Sequence, residues 1–185
     1  MSTSDVAIAN RALGKLGQTT IVSLTQDSTA ARAINAIYTG VRRAEIRKHP
    51  WNFAKTRAEL AASADEPAFD FGYAFPLPAD CLRVLNKADV DWKIEGQEIL
   101  SNSGGPLEIV YLRDVTDPNV FDEAFIDAFA CKLAMEVAEK LTSSSEKRDR
   151  AMREYQYALA EARRTNAIER MSEDRIEDDW ERARY

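Results

Sequence analysis

Apolar residues recur at helical spacing over four stretches of the chain and at alternate positions in between, which predicts two helices, a β region and two more helices. The first helix is expected over about 5–16, with Val6, Ala9, Leu13 and Leu16 on one face. Ser4 suits its N-cap, and Gly17 suits the left-handed residue beyond its end. Asp27 or Ser28 begins the second, over about 27–48, where Ile34, Ile37, Tyr38 and Val41 form the stripe. Its last turns carry Arg42, Arg43, Arg47 and Lys48, read as surface groups matched to the negative end of the helix dipole. The third, over about 118–141, opens at Asp117-Pro118. Phe125, Ile126, Phe129, Ala130, Leu133, Ala134, Val137, Ala138 and Leu141 cover two adjoining faces of it, so it is predicted to be central. Ser143-Ser144-Ser145-Glu146 fits a capping box opening the fourth, over about 145–168, with Met152, Tyr155, Leu159 and Ala162 inward.

The middle, about 51–115, has a period of two. Val90, Trp92 and Ile94 alternate with charged residues, and Leu107, Ile109 and Tyr111 alternate less cleanly. Leu82 to Leu85 is a further short strand candidate, with turns expected at Gly96 and Ser103-Gly104-Gly105-Pro106. The joint is His49-Pro50-Trp51-Asn52-Phe53-Ala54. Proline removes a backbone donor and drives His49 out of helical geometry, and Trp51 and Phe53 then read as core anchors. The fold expected is α+β, mainly α: an antiparallel helical bundle with a small inserted antiparallel β-sheet. Residues 1–168 form one domain, and 169–185 an extended C-terminal arm of charged residues with Ile176, Trp180 and Tyr185 as isolated apolar points.

At 185 residues, 45% of them hydrophobic, the chain is long enough to bury a core. Its net charge of −6 has the wrong sign for a general nucleic-acid binder, though it suits a wall past which DNA moves without sticking. Cys81 and Cys131 stand apart without a CxxC pair, and His49 is the single histidine, so zinc finds too few ligands. Both cysteines read as reduced core thiols of a cytoplasmic protein, and neither a secretory leader nor a membrane-spanning run is seen.

Other candidate chemistry reads as structure. Gly14-Lys15-Leu16-Gly17 lacks P-loop spacing and a preceding strand. Lys147, Arg148, Arg150 and Arg153 are read as a solvated helix face, with contact to DNA or an acidic partner as the alternative. Asp122, Glu123 and Asp127 lack the Glu-x-x-His partner of a di-metal site and decorate a helix N-terminus instead. No cofactor and no catalytic activity are expected.

Taken in order, the motifs resemble one family. Ala9 to Gly17 (ANRALGKLG) looks like its opening helix, and Arg42 to Ala54 matches an arginine-bearing helix end followed by HPWNFA. Pro76 to Val84 (PLPADCLRV) resembles its loop into an inserted sheet, and Tyr111, Val115-Thr116-Asp117-Pro118 and Phe121 to Ala138 its entry to a long core helix. This is similar to tail tubular protein A, the head–tail adaptor of short-tailed bacteriophages, over roughly residues 5–168. The resemblance implies a non-enzymatic virion protein in a ring, commonly dodecameric, between the portal protein and a tail nozzle protein of the tail tubular protein B kind. Helical bodies would surround the DNA channel, and the inserted sheet would support the nozzle. It further implies a C-terminal segment reaching the portal, which makes Ile176, Trp180 and Tyr185 docking candidates. Arg42, Arg43 and Arg47 become candidates for contact with a neighbouring subunit. The protein is then expected at the head–tail junction of the virion, after assembly in the host cytoplasm. The other class that fits is a non-enzymatic cytoplasmic helical regulator or assembly chaperone holding a protein partner through the acidic tail.

Overall fold

In the computed structural model, which describes residues 3–85 and 91–169, the chain is α+β and mainly α. Four helices carry the larger core: α1 (Asp5–Lys15), α2 (Thr29–Lys48), α3 (Glu123–Thr142) and α4 (Ser145–Ile168). Six short strands lie between α2 and α3: β1 (Lys55–Leu60), β2 (Tyr73–Pro76), β3 (Cys81–Val84), β4 (Trp92–Glu95), β5 (Glu98–Ser101) and β6 (Leu107–Arg113).

Local chemistry sets the helix ends. Ser4 accepts from the Ala7 amide at the start of α1, and beyond its end Gly17 takes φ +68°, where the Gln18 amide donates back to Leu13 at 3.0 Å. Of the two candidate caps for α2 it is Ser28 that accepts, from Ala31. Pro50 ends α2 as expected, with His49 extended at φ −137°, ψ 144°. The third helix begins later than Pro118. Asp117 caps only a short 3-10 turn (Pro118–Val120), after which Asp122 accepts from the Ala124 and Phe125 amides and starts α3. The capping box does not form. Ser143 takes a left-handed conformation that closes α3, so Ser144 caps α4 through the Lys147 amide and Glu146 is not at the paired position.

α3 packs against α1, α2 and α4, and ten of its residues are buried, which is the central position its wide stripe predicts. Of the face expected for α4, Ala162 is buried and Tyr155 and Leu159 pack against the core, and only Met152 departs. Ala151, Ala158, Ala162 and Asn166 are buried while Met152 is 47% exposed, because small residues let α4 lie close against α3.

The insertion holds two antiparallel sheets rather than one, ordered β1-β6-β3 and β2-β5-β4. β1 escaped the hydrophobic pattern because Lys-Thr-Arg-Ala-Glu-Leu has little alternation, and β2 because it is four residues long among prolines. β4 and β5 form a hairpin turned at Gly96 (φ +58°) and Gln97. Val90 lies outside the described residues. β6 joins the two parts. Leu107, Ile109 and Tyr111 pack with Leu60, Phe75 and Ile99 in a second, smaller core, while Leu112 belongs to the helical core.

Candidate functional site at the helix–sheet joint

Residues 42–54 and their neighbours form a polar and aromatic cluster. When α2 stops at Lys48, the carbonyls of its last turn, Glu45 to Lys48, lose their helical partners. Side chains take over two of them. The Trp51 indole donates to the Glu45 carbonyl at 3.0 Å, and Arg83 of β3 donates to that of Arg47 at 3.4 Å. Trp51 is 1% exposed, with ring centroids 4.6 Å from His49, 5.0 Å from Phe125 and 6.2 Å from Phe53. Phe53 in turn meets Phe121 and Phe125 at 5.4 and 4.9 Å. The two aromatics named from sequence thus sit in one cluster that binds the joint to the start of α3.

Two polar clamps surround that cluster. Asn166, 6% exposed on α4, accepts from the Asn52 amide at 2.7 Å, and its own carbonyl accepts from the Asn52 side chain at 3.0 Å. Its amide nitrogen lies 3.1 Å from His49 Nε2. On the other side the buried Glu45 carboxylate accepts from Tyr155 of α4 at 2.8 Å and pairs with Lys48. Burial and the Glu45 carboxylate together push the Tyr155 phenol well above its ordinary range. Neither clamp was legible as function: Glu45 and Asn166 are polar residues on faces whose burial depends on neighbouring helices. The spacing Ala151, Ala158, Ala162, Asn166 was the one available signal.

The three arginines named from sequence have different fates. Arg42 is not a surface group. It is 7% exposed and pairs with Asp114 at 2.9 Å, because helical phase turns it inward toward the segment after β6. Among the described residues its Nε has no hydrogen-bond partner. Arg43, about half exposed, reaches the other oxygen of Asp114 at 3.2 Å, and Arg47 donates to the Leu82 carbonyl. With Arg83, Arg43 and Arg47 line a cleft of about 290 Å³ bounded by Leu77, Pro78 and Ile94. Ile176, Trp180 and Tyr185, the docking candidates, lie outside the described residues.

The remaining candidates are dispersed. Asp122 caps α3, Glu123 faces Arg11 at 3.9 Å, and Asp127 faces Lys15 at 3.5 Å. Lys147 donates to the Leu16 carbonyl, and Arg150 pairs with Glu154. Cys131 is buried and Cys81 half-buried, both as free thiols raised above their ordinary pKa chiefly by burial. The described residues hold no group of three or more His, Cys, Asp or Glu that could hold a metal ion, and no helix among them is long and apolar enough to cross a membrane. No family model matches the chain, and no curated protein matches it.

Proposed function

We propose that this chain is the subunit of a head–tail adaptor ring in a short-tailed bacteriophage, seated between portal and tail nozzle and lining the DNA channel. The reading is carried by the ordered motifs from Ala9 to Ala138, centred on His49-Pro50-Trp51-Asn52-Phe53-Ala54. The geometry of that centre supports it, because buried aromatics and two polar clamps anchor the segment in the helical body immediately before the chain enters β1. A firmly anchored chain entry of this kind suits a subunit whose inserted sheet meets a nozzle while its helical body meets a portal. Net charge −6 suits a lumen that DNA crosses without adhering. Arg47, and the half-exposed Arg43 beyond its contact with Asp114, stay available to a neighbouring subunit's carboxylates, whereas Arg42 is buried against Asp114. The segment after Met171, with Ile176, Trp180 and Tyr185, is assigned to the portal.

The test is negative-stain imaging of the protein mixed with portal-bearing capsids. The expected result is ring density at the portal vertex, lost when residues after Met171 are deleted although circular dichroism and melting of the shortened chain stay near those of the full chain. Full chain that never mounts on portals overturns the reading. Undiminished mounting of the shortened chain moves the docking surface into the helical body.

A further inference from the structure

We infer that the arginine cleft between α2 and the β-sheet lobe is the docking site for the acidic segment 173–181 of this same chain. The cleft carries local positive charge on a molecule whose net charge is −6. Arg43, Arg47 and Arg83 are all exposed there. Asp114 is shared between Arg42 and Arg43, and Arg47 and Arg83 reach only backbone carbonyls among the described residues. Among the described residues, two of these guanidinium groups therefore meet no carboxylate, and the third shares one. The lining also includes apolar Leu77, Pro78 and Ile94, of which Ile94 is 44% exposed. A volume of about 290 Å³ falls at or below the ~300–1,000 Å³ of small-molecule pockets, so it suits side chains of a peptide segment better than a metabolite.

Segment 173–181 (Glu-Asp-Arg-Ile-Glu-Asp-Asp-Trp-Glu) supplies the matching chemistry, six acids against one arginine with Ile176 and Trp180 among them. Carboxylates pair bidentately with guanidinium groups, and an apolar pair has Leu77, Pro78 and Ile94 to cover. Proximity favours this occupant over a free acidic peptide. α4 ends against the joint, with Asn166 bonded to Asn52 and Pro50, and these residues directly follow the α2 turns that hold Arg43 and Arg47. The four Cα–Cα steps from 169 to 173 reach at most about 14 Å. Tethering supplies an effective concentration on the order of millimolar, enough for a weak, salt-sensitive contact to be populated. The docking rests on the chain's own residues. A holding role for the cleft before portal assembly follows only under the adaptor reading, and the experiment below reads docking alone.

The full chain labelled with 5-fluorotryptophan has three fluorine resonances, from Trp51, Trp92 and Trp180, of which Trp180→Phe assigns the last. The Trp180 resonance should be displaced from its position in a synthetic peptide of residues 170–185 and return to that position in high salt. It should also return in the Arg43→Gln, Arg83→Gln double variant but not in Arg43→Lys, Arg83→Lys, with an unchanged Trp51 resonance reporting that each variant is folded. Should the arginine variants fail to fold, Glu177→Gln with Asp178→Asn and Asp179→Asn must release Trp180 in the same way. A Trp180 resonance already at the peptide position overturns the proposal, as does a displacement that survives loss of both arginines. A displacement that vanishes on dilution overturns it too, because the cleft would then hold the segment of another copy.

Discussion

At the scale of single residues, Trp51 and Arg42 show what burial makes of a side chain. Trp51 fills the joint and also satisfies a helix-end carbonyl, so Trp51→Ala removes packing and leaves the Glu45 carbonyl unpaired. Its expected cost is about 3–5 kcal/mol by denaturant unfolding, typical of a large aromatic in a core. An unfolding curve matching wild type would show that the joint does not depend on it. Arg42 and Asp114 form a pair whose side chains are 8% and 13% exposed. Asp114→Ala strands a buried guanidinium and is expected to cost about 3–5 kcal/mol. Arg42→Met removes the charge that would be stranded and should cost clearly less; equal losses would show that the charge is not what matters. The buried hydroxyls and thiols set the pH response. Tyr38, Tyr155 and Cys131 are held above their ordinary values mainly by burial, and Tyr111 is pushed up to about 12 from 10.0. The folded state then keeps these protons more tightly than the unfolded chain, so their contribution is complete below the unfolded values of 9.0 for thiol and 10.0 for phenol and is lost as pH rises past them. Melting temperature should hold to about pH 9 and fall between there and about pH 12. A melting temperature that rises over this window would contradict the assigned environments.

At the scale of elements, helix ends were decided by competition between neighbouring polar residues. Asp117, Asp122, Ser143 and Ser144 all have cap chemistry, and sequence favoured Asp117-Pro118 for the start of the third helix and Ser143 with Glu146 for a capping box. The tertiary structure gives α3 to Asp122 because Phe121 must first turn into the aromatic cluster beside Phe53 and Phe125. Ser143 is spent closing α3, which leaves the cap of α4 to Ser144. Asp122→Ala is therefore expected to lower stability by about 1 kcal/mol, the usual worth of an N-cap. Asp117→Ala, at a fully exposed carboxylate, should leave the thermal melt close to wild type. If the two effects are reversed in calorimetry, α3 starts at Pro118 in solution. β6 is the other decisive element, because its alternate side chains serve two cores. A polar residue at Leu112 would damage the helical core, and one at Ile109 the sheet lobe.

At the scale of the whole molecule, charge sets expectations about DNA. Apart from the local excess at Arg43, Arg47 and Arg83, the chain is acidic, so binding driven by counterion release has little to work with. Gel shift with random duplex at physiological salt should show negligible affinity. Submicromolar binding by the isolated protein would argue against a passive channel wall and favour the regulator. The two cores also predict where the molecule deforms. The sheet lobe, with its small core, should lose amide protection before the helical body.

The sequence by itself determined the helical body. Period-3.6 stripes, Ser4, Gly17 and Pro50 are local signals, and local hydrogen bonding and sterics act whatever the rest of the chain does. It also determined that Trp51 and Phe53 turn inward, since large aromatics after a helix stop have no cheaper place than a core. Only the tertiary structure decided that the insertion makes two sheets, because β1 and β2 owe their strand state to partners 47–57 and 22–28 positions away rather than to their own composition. It alone turned Arg42, Glu45 and Asn166 inward. A polar side chain on a helix is indifferent to its direction until another element supplies the partner that offsets its desolvation, and those partners, Asp114, Tyr155 and Asn52, are distant in sequence and set by how the elements pack.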